Sequence, residues 1–258
     1  NKFKKINMDT KNVIAAISLS AAVIILYSLF FQPDPQIVKK NIEEKEFAQK
    51  TSEEPSIEQT EKISKISRSE SISNSERIMF ENENIEGSIS LIGSSIDDLT
   101  FKKYTKTLNG TDNIILLNPR NVENGYFVET GWVTNNKNID LPNSKTLWKI
   151  EGNTKLTEKN PIKLVWNNNQ GIKFEKKISI DNKFLFTVDQ NITNSTNKTY
   201  NFYPYGQIIR NKAPEITNFY ILHEGLIGVF DDQLVEEDYE DIEEKKYSIN
   251  AQNGWTGI

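Results

Sequence analysis

The chain has 258 residues, 36 acidic against 31 basic side chains, a formal net charge of −5, one histidine and no cysteine. Without cysteine there is no disulfide, no thiolate nucleophile and no thiolate metal ligand. The acidic balance, with no run of Lys and Arg to build a phosphate-binding face, argues against nucleic acid as a partner.

The first element is Val13–Phe31, 19 residues without a charge, Gly or Pro. As a helix it spans roughly 28 Å, against about 30 Å for the hydrocarbon core of a bilayer. It is longer than the apolar region of a cleavable signal peptide. It ends in Tyr27, Phe30 and Phe31, which suit an interfacial belt better than a cleavage site. The reading is an uncleaved transmembrane anchor. Lys2, Lys4, Lys5 and Lys11 precede it, and the next cation is Lys39. The positive-inside rule then puts residues 1–12 in the cytoplasm and the rest of the chain outside. Met8 is a candidate start.

Pro33 and Pro35 end the apolar helix. Residues 32–76 are rich in Glu, Lys, Ser and Gln, with isolated Ile residues that keep neither a helical nor a strand period. Such a segment buries too little surface to offset chain entropy and reads as a disordered polar spacer. A short helix around Val38–Lys50 is the one element expected there, with partner binding as its functional alternative.

From Arg77 to Ile258 the pattern becomes that of one β-domain. Ile85, Ile89 and Leu91 alternate, as do Leu99, Phe101 and Lys103. Asn113–Leu117, Gly125–Val133, Leu147–Ile150 and Ile162–Asn167 read as further strands. The clearest pair is Ile172–Ile180 with Lys183–Thr193. Ile172, Phe174, Ile178 and Ile180 line one face of the first strand, and Phe184, Phe186, Val188 and Ile192 line one face of the second. Asp181-Asn182 is expected to join them as a two-residue turn. Phe202–Ile209, Phe219–Leu222 and Leu226–Phe230 add strands, and Glu236–Lys246 is the best short helix. Many short strands with Gly and Asn turns predict an all-β sandwich.

No residue set carries evident chemistry. His223 reads as a hydrogen-bonded structural residue. As a metal ligand, its alternative, it would need a carboxylate partner, and neighbouring Glu224 points to the other face of a regular strand. Asp97-Asp98 and Asp231-Asp232 read as turn carboxylates, with a paired-carboxylate glycosidase as the alternative. Asn109, Asn191, Asn194 and Asn197 start glycosylation-type triplets and read as turns. Trp132, Trp148, Trp166 and Trp255 read as core anchors, with a sugar-stacking platform as the alternative. A mutarotase-like reaction would need a base and an acid in one pocket, with His223 as its only histidine. The acidic run Glu236–Glu244 is the candidate partner-facing segment, with a plain solvated helix as the alternative.

Five blocks in order carry a family resemblance: EGSISLIGSSIDDLTFKKYTKTL (Glu86–Leu108), NPRNVENGYFVETGW (Asn118–Trp132), VWNNNQGIKFEKKISIDNKFLFTVDQNITN (Val165–Asn194), HEGLIGVFDDQLVEEDYEDI (His223–Ile242) and GWTGI (Gly254–Ile258). Together they resemble the N-terminal part of the YidC family of bacterial membrane protein insertases. The resemblance implies an inner-membrane anchor with a cytoplasmic N-terminus and a periplasmic domain over 77–258. That domain would be a twisted β-sandwich similar to sugar-binding and mutarotase-like domains, with a C-terminal helical linker. It implies a non-enzymatic protein that inserts and folds nascent inner-membrane proteins, alone or with the Sec translocon and SecD–SecF. The bilayer itself is a partner through the anchor. No catalytic, cofactor-binding or metal residue is implied. The family's working part is a later helix bundle with a polar groove and a buried Arg. No second hydrophobic span precedes Ile258, so no groove residue is carried over, and the chain is expected to be a partial sequence or a truncated product. An anchored carbohydrate-binding or mutarotase-like sandwich is the alternative.

Overall fold

The structure, a computed structural model, describes residues 19–20, 66–214, 223–244 and 246–258. The chain divides into the units Asn1–Glu54 and Pro55–Ile258. In the first, the described residues are Leu19 and Ser20, both helical. The rest of the expected anchor, the expected helix at Val38–Lys50 and the expected strand Phe219–Leu222 lie outside the described residues. Among the described residues, no helix is long and apolar enough to cross a membrane.

The second unit is dominated by strands. It opens with helix α1 (Arg68–Ser73), capped by the Ser67 hydroxyl accepting from the Glu70 N–H. This helix falls within the stretch expected as spacer, and its Ser71 is buried. Strands β1 (Arg77–Glu81), β2 (Ile85–Ser90), β3 (Ile96–Thr105), β4 (Asn113–Leu117), β5 (Tyr126–Thr134), β6 (Lys149–Glu151) and β7 (Lys155–Leu156) follow. Then come β8 (Ile162–Asn167), β9 (Ile172–Ile180), β10 (Phe186–Asn194), β11 (Phe202–Arg210), β12 (Gly225–Phe230) and β13 (Gln233–Asp238). Helix α2 (Tyr239–Glu244) and strand β14 (Gly254–Gly257) complete it.

One sheet runs β11-β5-β3-β2-β1-β7, with β4 also paired to β3. A second runs β10-β9-β8-β6, and a third β13-β12-β14. The first two enclose the core. Ile78, Phe80, Ile85, Ile89, Leu91, Trp132, Trp148 and Leu156 from one side meet Ile162, Leu164, Ile172, Phe174, Ile178 and Ile180 from the other. Period-two alternation puts these side chains on inner faces, and their removal from water is the main stabilising term. Gly87 marks a tight approach: a Cβ there would stand 1.9 Å from the Asp98 carbonyl oxygen.

The β9–β10 hairpin forms as the alternation predicts, but its connection is longer than the expected two residues. Ile180 pairs with Phe186, leaving residues 181–185 as the loop. The Asp181 carboxylate builds that loop, accepting from the N–H groups of Lys183 (2.8 Å) and Leu185 (3.0 Å). This satisfies more backbone donors than a tight turn would. Phe184, expected on the strand face, therefore sits in the loop and is exposed. Asn82 ties the hairpin to the first sheet by donating to the carbonyls of Asp181 (2.8 Å) and Lys183 (2.9 Å).

Three local expectations need correction. Asp97 and Asp98 lie in strand β3, not in a turn, and both are buried. Ser88 pairs with Asp98 and Ile89 with Ile96, so Asp97 is the extra residue of a bulge. Asn191 and Asn194 lie in β10, paired with Glu175 and Ile172, rather than in turns. The run expected as a helix from Glu236 begins as strand, and only Tyr239–Glu244 is helical.

Candidate functional site

His223 precedes β12 in the three-stranded sheet. Its Nε2 lies 3.0 Å from the Leu226 carbonyl oxygen and its Nδ1 3.2 Å from Asp238 Oδ1. A carboxylate does stand beside the histidine, but both ring nitrogens are engaged in holding the strand. Asp231 and Asp232 form the β12–β13 turn with φ of 48° and 67°, a conformation Asp tolerates. The Asp231 carboxylate accepts from the N–H groups of Gln252 and Asn253, both at 3.0 Å, which holds the approach to β14. Among the described residues, no three His, Asp or Glu side chains gather as a metal site.

The buried acidic pair is structural in the same way. Arg77 on β1 pairs with Asp97, and Arg68 on α1 pairs with Asp98. Ser88 links them, its hydroxyl donating to Asp98 at 2.5 Å and accepting from Arg77 Nε at 2.7 Å. Burial raises the Asp97 pKa above the ordinary carboxylate value, against the opposing pull of Arg77. The bulge is what brings both carboxylates to this network, since neighbours on a regular strand point apart.

Lys176 is the least expected residue of the interior. It occupies the inward position between Phe174 and Ile178 on β9 and is 1% exposed. Its ammonium donates to the Thr130 carbonyl at 2.5 Å and to the Ser94 hydroxyl. It also lies 4.8 Å from the ring centre of Trp148 and 5.8 Å from that of Trp132. Desolvation lowers its pKa to about 7, with Glu129 acting in the opposite sense. Gln190, opposite Lys176 on β10, donates to the Gly131 carbonyl at 2.9 Å. Two polar side chains at one level thus pin the second sheet to β5. Beside Lys176 lies a cavity of about 10 Å³ bordered by Trp148, Glu129 and Tyr205, the size of one water molecule. Glu129 is itself held by Arg120 and by Gln207 Nε2 at 3.2 Å.

Trp132 and Trp148 belong to the core, as expected, and Trp166 packs against it. Trp255 does not, being 55% exposed on β14. A groove of about 360 Å³ opens where β3, β4 and the β9–β10 loop meet, lined mainly by Phe101, Tyr104, Leu116 and Phe184. The Phe101 ring packs edge-on against both Tyr104 and Phe184. None of these cavities is lined by His223.

Residues 77–258 match the family model described as the YidC periplasmic domain. The chain belongs to the YidC family. A relative from Pelagibacter ubique, named Membrane protein insertase YidC, is 58% identical over 251 residues, which cover 97% of this chain and 45% of the relative. Relatives of the same name from Mesorhizobium japonicum and Bradyrhizobium diazoefficiens are 36% and 32% identical, over 74% and 97% of this chain. The chain spans less than half the length of these curated YidC relatives. The described sandwich is thus a YidC periplasmic domain, and its buried ion pairs and Lys176 pin are the interior of that domain.

Proposed function

We propose that this chain supplies the membrane-anchored periplasmic part of a membrane protein insertase. Val13–Phe31 spans the inner membrane with the N-terminus in the cytoplasm, residues 32–76 link it to the domain and end in α1, which is paired to β3, and residues 77–258 lie in the periplasm as a twisted, mutarotase-like sandwich. The domain is non-catalytic. The whole protein inserts and folds nascent inner-membrane proteins, alone or with the Sec translocon and SecD–SecF. The lipid bilayer is its setting, and the handling of clients belongs to membrane helices rather than to the sandwich.

The observation that carries this reading is the family match over the entire β-domain, supported by 58% identity to an insertase along nearly the whole chain. The contacts of the candidate acid–base residues also favour it. His223, Asp97, Asp98 and Asp231 all hold backbone or counter-charges, so each of these four is engaged in holding the fold rather than free for the acid–base role that the sugar-converting alternative needs.

A hybrid tests the proposal. This chain replaces the matching segment of the Pelagibacter ubique relative, and the hybrid is expressed in cells depleted of their own insertase. Restored growth, together with correct protease protection of a small inner-membrane protein, supports the reading. A stably accumulating hybrid that restores neither overturns it. Alkaline phosphatase joined after Ile258 reads the orientation: active enzyme supports a periplasmic domain, and inactive enzyme refutes it.

A further inference from the structure

The three-stranded sheet presents an amphipathic face that nothing in the described chain covers. Directly paired residues of antiparallel strands point to the same side. Val229 on β12 pairs with Leu234 on β13 and with Trp255 on β14. These three therefore form one apolar row across the sheet. Leu234 is 59% and Trp255 55% exposed, so the row faces solvent. Two residues further along, Ile227 pairs with Glu236, and Gly225 pairs with Asp238. Both carboxylate-bearing residues lie on the same face and are exposed.

The surrounding stretch is strongly acidic. From 223 to 246 there are ten Asp and Glu residues against two Lys, Lys245 and Lys246. Three strands about 4.8 Å apart make the row about 10 Å wide, close to the diameter of one α-helix. An apolar stripe of helix width beside a line of carboxylates complements a helix that carries Leu-type residues on one face and Lys or Arg at its margin. The same negative charge repels an anionic lipid surface and a second copy of this chain.

From this we infer that the outer face of β13-β12-β14 docks a cationic amphipathic helix of a partner protein. Leu234, Val229 and Trp255 take its apolar face, and Glu236 and Asp238 take its cations. The face is a property of this chain's own residues and stands apart from the insertase reading. It also narrows the acidic segment from the run Glu236–Glu244 to the strand residues that share a side with Trp255.

The test uses the full 258-residue chain in phosphatidylcholine nanodiscs, with empty nanodiscs as the blank. The probe is a fluorescently labelled helical peptide of about five turns, with Leu on one face and Lys on the other. Its control has the same Leu pattern with Glu in place of Lys. Anisotropy titration should give saturable binding of the Lys peptide, at least tenfold tighter than the Glu peptide and weakened by salt. Leu234→Ser with Trp255→Ser, and separately Glu236→Lys, should each weaken it at least tenfold. These positions are exposed, and thermal melting of each variant checks that the fold survives. If the double change unfolds the small sheet, Glu236→Gln reads the charge alone. Equal binding of the two peptides, undiminished binding by Glu236→Lys, or no binding above the blank overturns the inference. So does capture of anionic vesicles or self-association that Leu234→Ser abolishes, since lipid or a second copy would then be the occupant.

Discussion

The ammonium of Lys176 crosses from the second sheet to the first and donates to the carbonyl of Thr130 at 2.5 Å. Its pKa is lowered to about 7 by burial, whereas an unfolded lysine holds its proton to about 10.4. Between those values the unfolded chain binds more protons than the folded one. Stability therefore rises as pH increases from about 7 to about 10, by at most about 1.4 kcal/mol per unit. Urea midpoints at pH 7, 8 and 9 should climb in the native protein and stay flat in Lys176→Met. A native midpoint that does not rise over this range would count against the buried amine.

Arg77 and Asp97 make a second prediction, because their side chains are only 6% and 7% exposed. Removing one partner of such a pair strands the other charge. Arg77→Met should cost about 3–5 kcal/mol, while Arg77→Met with Asp97→Leu should recover most of the loss. Since burial holds the Asp97 pKa above its ordinary value, the folded state binds the extra proton. Its contribution is fully present below the ordinary carboxylate value and is lost as pH rises through the folded pKa. Urea unfolding of the single and double variants near neutral pH decides the matter.

Phe174 is the hub of the aromatic core. Its ring centre lies 5.2 Å from that of Trp132, 5.7 Å from that of Trp166 and 5.7 Å from that of Phe202. Phe174→Ala should cost about 3–5 kcal/mol through lost burial and a cavity. Trp255→Ala, at an exposed site, should stay within about 0.5 kcal/mol. Thermal melts of the two variants side by side test the contrast.

Helix α1 should open before the sandwich does. It has six residues and is held by the Ser67 cap and the Arg68–Asp98 pair. Ser67→Ala should cost about 1 kcal/mol and speed amide exchange in Arg68–Ser73 while β9 stays protected. Equal acceleration in β9 would show that α1 is part of the global unit instead.

The β-domain was legible because its strands alternate. Asn113–Leu117, Ile162–Asn167 and Ile172–Ile180 match β4, β8 and β9 to the residue, since each has clear apolar parity or a clean apolar run. Strands β7, β13 and β14 were not legible. Lys155–Leu156 is too short to show a period, and Gln233–Asp238 and Gly254–Gly257 place most of their residues in solvent. The Lys176 pin carried a signal that depended on the loop. Lys176 and Gln190 break the apolar parity of their strands at the same level, but a two-residue turn would place Thr187 opposite Lys176 instead. Only the five-residue loop that Asp181 builds brings the two interruptions together. The acidic face was half legible: composition marked Glu236–Glu244, but its alignment with Leu234 and Trp255 exists only once three strands are paired.

The pairing of β11 with β5 has a consequence for the order in which the chain can mature. Phe202 finds its place beside Thr134, so the sheet waits for a strand made 68 residues later. At a synthesis rate of about 5–20 residues per second, one edge of β5 stays open for roughly 3–14 s on every new molecule. During that interval its ladder groups can recruit any extended chain nearby. This YidC periplasmic domain thus has a newborn interval in which its own β5 edge is open to other chains.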